Sequence, residues 1–339
     1  MKKIVFFFIL IANFHSVSAQ KDSIVLNNNN KLVGEIKSLD KSVLTIKTTY
    51  SDSDFKIKWF RVKEIYSNRS FIVSLSNGSR FNATINTDSI NKKAVLIDQG
   101  EFILESTLNK VIYLDAIGQN FLSRLTAEFD IGITLTKANN SKQLTSNARL
   151  DYSANKWSLS NTFNSVYSRQ DSVQDIKRIE GTTTFQWFLK NDWFLSTSGT
   201  FLSNNEQLLK LRSTGKVGAG YYFKHNNNLS LAAGSGIAFS NEEYLDGADP
   251  GKNSLEFYFG SQFNKYEIGD LSLLTSVFAY PSITEKGRFR VDFKFDMKYD
   301  LPWDFYIKTG ITYNFDNQPA QGATKDDYVF QTSFGWELD

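Results

Sequence analysis

The chain predicts an all-β fold: a transmembrane antiparallel β-barrel of about 12 strands, preceded by a small soluble β domain. Three observations carry that expectation. Over Arg288–Tyr299 every second residue is apolar (Phe289, Val291, Phe293, Phe295, Met297, Tyr299) and every residue between is charged (Arg288, Arg290, Asp292, Lys294, Asp296, Lys298). Side chains alternate faces in a strand, so this segment has one oily wall and one ionic wall. Beyond an apolar leader, no stretch is continuously apolar for a helix-spanning length, so a membrane crossing must be made by strands. Finally, the connections between alternating segments are short and long in turn, as in outer-membrane barrels.

Composition fits. The 339 residues carry a formal net charge of +2, which argues against nucleic acid as a partner. There are no cysteines, hence no disulfide framework and no thiolate site. Aromatics reach 15%, while the mean hydropathy of −0.32 is that of a barrel whose strands turn half their side chains to a polar lumen. Met1–Gln20 reads as a secretory signal: Lys2 and Lys3, the apolar Ile4–Phe14, then Val17-Ser18-Ala19 before a cut ahead of Gln20. The expected organisation is a signal at 1–19, a periplasmic domain at 20–118 and a barrel at 119–339.

Residues 21–117 have short segments, many charges and few aromatics. Two similar units follow one another at a period of about 47–49 residues, each like a small SH3-like or Sm-like barrel. The first runs through Leu32–Ile36 and Val43–Ile46 to Val62–Tyr66. The second runs through Ile72–Leu75, the hairpin signal Asn77-Gly78, Phe81–Ile85 and Val95–Ile97 to Lys110–Tyr113. Trp59-Phe60-Arg61 is readable as a ligand-stacking site or, as is commoner for tryptophan, as packing under a turn. Leu114–Phe121 is expected to join the two domains.

From Phe121 onward, strands are expected near 123–136, 144–153, 156–168, 177–190, 192–203, 210–224, 227–240, 253–264, 268–280, 286–299, 302–315 and 327–338. The expected lipid face includes Phe129, Ile131, Ile133 and Leu135, then Phe257, Phe259 and Phe263, and later Phe330, Phe334 and Trp336. Trp157, Trp193 and Trp303 each follow a short turn, where an aromatic girdle would meet the interface. The pattern puts both termini on the periplasmic side. The last strand, with Phe334, Trp336 and Leu338, is similar to a barrel insertion signal, although Asp339 rather than an aromatic comes last.

Gly215–Phe223 (GKVGAGYYF) and Ser230–Gly236 (SLAAGSG), within this Gly- and aromatic-rich tail, resemble the DUF481 family of salt-induced outer-membrane proteins. The resemblance covers about residues 120–339. It implies an outer-membrane location and brings no settled biochemical activity.

Chemistry is sparse. The two histidines are His15, inside the signal, and His225, at a turn, so no serine–histidine pair and no imidazole–thiolate metal centre is available. No enzyme and no cofactor is expected. The candidate site is the lumen, with Arg288, Arg290, Asp292, Lys294, Asp296, Lys298, Lys210, Arg212, Lys216 and Lys308 as leading residues. Arg178, Glu180, Lys190, Glu256, Asp304 and Glu337 are expected beside them. A basic excess would make this a narrow pore preferring anions; the other reading is a salt-bridged filling. Gly218, Gly220, Gly234, Gly236 and Gly260 would face inward, leaving room for a solute or easing strand bends. Glu242, Glu243, Asp246 and Asp249 read as solvated loop acid, since their spacing matches no EF-hand.

The expected function is a non-enzymatic pore or envelope-stress protein. The alternatives are an anchor presenting a periplasmic module to a protein or peptidoglycan partner, and a lipid-modifying enzyme working without histidine. The expected partners are outer-membrane lipid and lipopolysaccharide, and the barrel-assembly machinery during insertion.

Overall fold

The computed structural model describes residues 22–100, 102–117, 124–136, 141–154, 156–172, 174–245, 251–268 and 270–338. The signal, most of the Lys137–Gln143 loop, Asp246, Asp249, Asp339 and the boundary at 118–119 lie outside the described residues.

Twelve antiparallel strands close into a barrel, each paired with its sequence neighbours. They are β10 (Leu125–Thr136), β11 (Ser141–Ser153), β12 (Trp157–Arg169), β13 (Ile176–Phe188), β14 (Trp193–Asn204) and β15 (Leu209–Asn226). There follow β16 (Leu229–Tyr244), β17 (Lys252–Ile268), β18 (Leu271–Pro281), β19 (Phe289–Asp300), β20 (Phe305–Asp316) and β21 (Asp326–Leu338). First and last strands pair Ala127 with Leu338 and Ile131 with Phe334, so no sheet edge is left open. Phe129, Ile133, Phe259, Phe330 and Trp336 are all exposed on the outside. That apolar belt is what one-residue alternation produces once the other face is turned to a polar interior.

One mouth carries the turns 189–192, 227–228 and 301–304; the other carries connections such as 282–288 and 317–325. These are called the turn mouth and the loop mouth below. β10 begins and β21 ends at the turn mouth. No helix among the described residues is long and apolar enough to cross a membrane.

The N-terminal region has nine strands: β1 (Asp22–Leu26), β2 (Lys31–Asp40), β3 (Val43–Lys47), β4 (Phe55–Lys58), β5 (Val62–Leu75), β6 (Arg80–Thr87), β7 (Val95–Asp98), β8 (Ile103–Ser106) and β9 (Val111–Ala116). The repeat is visible: Trp59–Arg61 and Leu108–Lys110 are matching 3₁₀ turns, each entering the last strand of its half. The expectation of two tandem modules is corrected, however. β5 is continuous across both halves, and β9 pairs with both β2 and β5. Ile24, Ile36, Ile65, Phe71, Ile85 and Leu114 therefore share one core. Neither half can bury its apolar face without the other. Leu114, Asp115 and Ala116, expected in the join, belong to β9. Trp59 is buried, its Nε1 donating to the Leu108 carbonyl at 2.8 Å, while Phe60 is exposed beside Arg61. The tryptophan is core, not a stacking platform.

Candidate functional site: the lumen and its two mouths

The inward side chains of the barrel form layers. At the loop mouth lies a network of buried ion pairs. Arg212 Nε donates to Glu242 Oε1 at 2.7 Å, and Arg288 Nη2 donates to the same oxygen at 2.8 Å. Arg288 Nη2 also reaches Asp316 Oδ2 at 2.5 Å, and the Tyr244 hydroxyl donates to Glu242. Arg290 forks onto Glu256, its Nε donating to Oε1 at 2.9 Å, and reaches the Ser240 hydroxyl at 3.1 Å. Arg178 donates to Asn314, Glu180 and Asp327. Glu242 is 1% exposed and Glu256 0%. Above this layer the 317–325 connection folds in, packing Ala320 against Leu202, Leu209 and Tyr244. Buried charges lose solvation and persist only when paired, so these side chains are held in place as a layer, in which Arg288 Nη1 is the one arginine nitrogen buried without a hydrogen-bond partner among the described residues.

Below this layer is a cavity of about 1170 Å³. Asp292, Lys294, Asp296, Lys298, Lys216, Thr182, Thr200 and Thr312 are among its walls. Lys294 pairs with Asp296 at 3.5 Å, and Lys298 with Glu337. Lys308 pairs with Asp130, which also accepts from Asn147 and Tyr306. Lys216 donates to the Tyr280 hydroxyl at 3.3 Å and lies 4.7 Å from the Phe278 ring centre.

The inward glycines neither leave an empty path nor merely ease a bend. A Cβ on Gly220 would stand 2.2 Å from the Phe194 ring, and one on Gly260 2.2 Å from the Phe278 ring. Gly220 and Gly260 are the floor on which these two inward rings lie.

Several expectations are corrected. Lys210 is outside the lumen: the register shift between Leu209 and Leu211 turns it outward, to pair with Glu243 at 3.3 Å with both side chains exposed. Lys190 is exposed at a turn, and Asp304 sits in the next turn but two, paired with Lys56 of the N-terminal domain at 2.8 Å. Glu242 is no solvated loop acid but the hub of the ion-pair layer. Nor is there a basic excess, since Lys and Arg line the cavity in nearly equal number to Asp and Glu. Sequence reasoning missed Glu242 as a lumen residue because its arginine partners lie 30 and 46 positions away along the chain, at Arg212 and Arg288.

The nine-stranded domain sits against the turn mouth. Lys58 bonds to Asp270 at 3.2 Å, and Lys41 lies 3.6 Å from Glu128 and 3.5 Å from Glu337. Asn227 Nδ2 donates to the Val111 carbonyl at 2.8 Å. The Asn77-Gly78 turn is inserted into this contact: Gly78 has φ +77°, and a Cβ there would stand 2.4 Å from the Asp192 backbone nitrogen. Cavity-lining residues include Lys56, Lys58, Asp270 and Asp304 at the partly exposed rim, so the cavity reaches solvent between domain and turns.

Burial lifts the Asp115 carboxyl from 3.8 to about 6, against the pull of Arg124 and Arg80. A carboxyl whose folded pKa is raised favours the folded state while protonated, so this contribution to stability falls as pH rises from 3.8 towards 6. Asp115→Asn should flatten the pH dependence of unfolding across that window, read by denaturant midpoints at pH 4, 5, 6 and 7. An unchanged slope would show that Asp115 does not titrate there.

His225, whose ring stacks on Tyr222 with centres 4.5 Å apart, has no side-chain bond to a serine among the described residues. No group of three or more His, Cys, Asp and Glu suited to a metal occurs among the described residues.

Fold and site define a closed twelve-stranded β-barrel with an outward apolar belt and a polar, domain-capped lumen. Over residues 129–337 the chain matches the family described as "Protein of unknown function, DUF481", and it belongs to that family. No curated protein matches it. Among solved structures it is similar to the NanC porin, at 10% identity and a TM-score of 0.35 over 62% of this chain and 97% of that one. It is also similar to CdiB from Acinetobacter baumannii, at 7% identity and a TM-score of 0.37 over 67% of this chain and 62% of that one. A third is OccK11 (OpdR) of Pseudomonas aeruginosa, at 11% identity and a TM-score of 0.30 over 94% of this chain and 93% of that one.

Proposed function

We propose that this is a non-enzymatic outer-membrane protein whose barrel is a blind polar vessel. It is closed towards the loops and entered from the turn side, which faces the periplasm. The observation that carries this reading is the ion-pair layer: Glu242, Arg288, Glu256 and Arg290 are each at most 3% exposed, as expected of side chains that fill the barrel rather than line a water-filled path. The belt of Phe129, Ile133, Phe259 and Phe330 supports a lipid surround, because water would leave it uncovered. The predicted signal at 1–19 supports export, and the shared side of both barrel ends supports periplasmic termini. The cap on the turn mouth supports a role for the N-terminal domain in controlling access to the vessel, rather than as a freely tethered module.

The test is conductance. The purified full chain in planar bilayers is expected to give no stable current steps. Persistent steps from the unaltered protein would overturn the reading in favour of an open pore.

A further inference from the structure

The turn mouth holds the N-terminal domain in two different ways. Over one part of the rim the contact is close-packed. The Gly78 turn rests on Asp192, Asn227 Nδ2 donates to the Val111 carbonyl at 2.8 Å, and the Arg80 guanidinium lies over the Phe188 ring at 4.4 Å. Over another part, at Asp270 and at the 301–304 turn, the contact is ionic. Lys58 donates to Asp270 at 3.2 Å, and Lys56 lies 2.8 Å from Asp304. All four of these side chains are at least 35% exposed. Lys41, on the turn between β2 and β3, faces Glu128 and Glu337 in the same sense, with the cation on the domain and the carboxylates on the barrel. The opposite sense occurs at the covalent join, where Asp115 lies 3.8 Å from Arg124.

The order of residues in β4, Phe55-Lys56-Ile57-Lys58, explains how two lysines reach the barrel together. Side chains alternate along a strand, so Lys56 and Lys58 share one face while Ile57 packs against the domain core from the other. β4 is also an edge strand of the sheet, next to β3. Its two lysines and their carboxylates stand at the rim where the cavity reaches solvent. A close-packed contact loses its fit when parted, whereas exposed ion pairs are weak and weaken further with salt. An ammonium on a flexible stem also imposes little geometry on its partner. One side of the domain is therefore seated, and the β4 side is held by contacts that break and re-form readily.

We propose that β4 is an electrostatic latch. Lys56 and Lys58 hold this edge of the domain over the cavity opening. Parting of their pairs with Asp304 and Asp270 lifts the edge while the Gly78 side stays seated. This rests on the reading of the lumen as a vessel entered from the turn side, and it names what governs entry.

The chain has no cysteine, so introduced pairs carry spin labels only at chosen positions. In the detergent-solubilised full chain, Ser53→Cys with Pro302→Cys spans the latch and Lys110→Cys with Asn228→Cys spans the seat, all four positions being exposed. Distances are read by double electron–electron resonance. In about 0.1 M salt each pair should give one distance. In about 1 M salt, where the screening length falls from about 10 to about 3 Å, the latch pair should gain a longer distance in at least half of the molecules. The seat pair should not change.

Lys56→Glu with Lys58→Glu should give the longer distance at low salt, and adding Asp270→Lys with Asp304→Lys should restore the short one. Lys56→Gln with Lys58→Gln removes the attraction without adding repulsion, and should lie between the two with a weaker response to salt. An unchanged seat pair in each variant shows that the domain is folded and docked. A latch distance unmoved by salt and by both lysine variants would overturn the proposal. So would a docked fourfold variant that stays open, or equal lengthening of the seat pair in the parent protein. These distances are read whether or not the barrel conducts, so current steps would refute the blind vessel without altering this result.

Discussion

Replacing Glu242 with alanine should destabilise the barrel by about 3–5 kcal/mol, because it leaves Arg212 and Arg288 buried with too little negative charge. Both arginines would then share Asp316, 3.5 Å from Arg212 and 2.5 Å from Arg288. Tyr244 would also lose its acceptor. Denaturant unfolding of the folded barrel in detergent measures the stability, and planar bilayers measure the seal. The variant should show current steps that the parent lacks. The double variant Glu242→Leu with Arg288→Met should recover most of the stability, since well-packed apolar residues can replace a buried pair without leaving a lone charge. If Glu242→Ala matches the parent in both measurements, the ion-pair layer is not the seal.

Phe293→Lys should cost about 2–4 kcal/mol, the range for a cationic side chain on the lipid face near the middle of a barrel strand. Phe293 pairs across the ladder with Val277 and Tyr313, on the same outward face. Its neighbours in sequence turn inward, Asp292 accepting from Asn314 Nδ2 at 2.7 Å and Lys294 pairing with Asp296 at 3.5 Å. The contrast tests the facing directly: Lys294→Phe alters the lumen, whereas Phe293→Lys alters the contact with lipid. Insertion and unfolding in lipid vesicles read the effect. Unchanged insertion and stability for Phe293→Lys would mean that this face does not meet lipid.

The two variants probe features that differ in how openly the sequence displays them. Arg288–Tyr299 declares its faces because strand periodicity is local, so an oily side and an ionic side follow from the order of residues alone. The Asn77-Gly78 turn was legible for the same reason, since a hairpin is decided by adjacent residues. That its glycine also seats the domain on Asp192 was not, because the contact joins residues 78 and 192. Lys210 misled because a single register shift beside Leu209 reverses the face, and alternation cannot announce its own interruption. Gly220 and Gly260 offered two local explanations, whereas the real one lies in rings carried by Phe194 and Phe278 on neighbouring strands.

The N-terminal region divides in the same way. The repeat was readable, down to matching segments ahead of each last strand. Its fusion into one core was not, because β5 and β9 serve both halves through pairings that only the assembled sheet specifies.

By itself, then, the sequence determined the alternating strands, the closed barrel's approximate strand number and the oily outer face. Only the tertiary structure decided which inward charges meet, that Glu242 joins Arg212 and Arg288 in one buried network at the loop mouth, and that the Asn77-Gly78 turn seats the domain on the barrel. The physical reason is range. Facing is fixed by neighbours one and two residues away, whereas a buried charge is defined by the partners that closure brings to it, here from strands far apart in the chain.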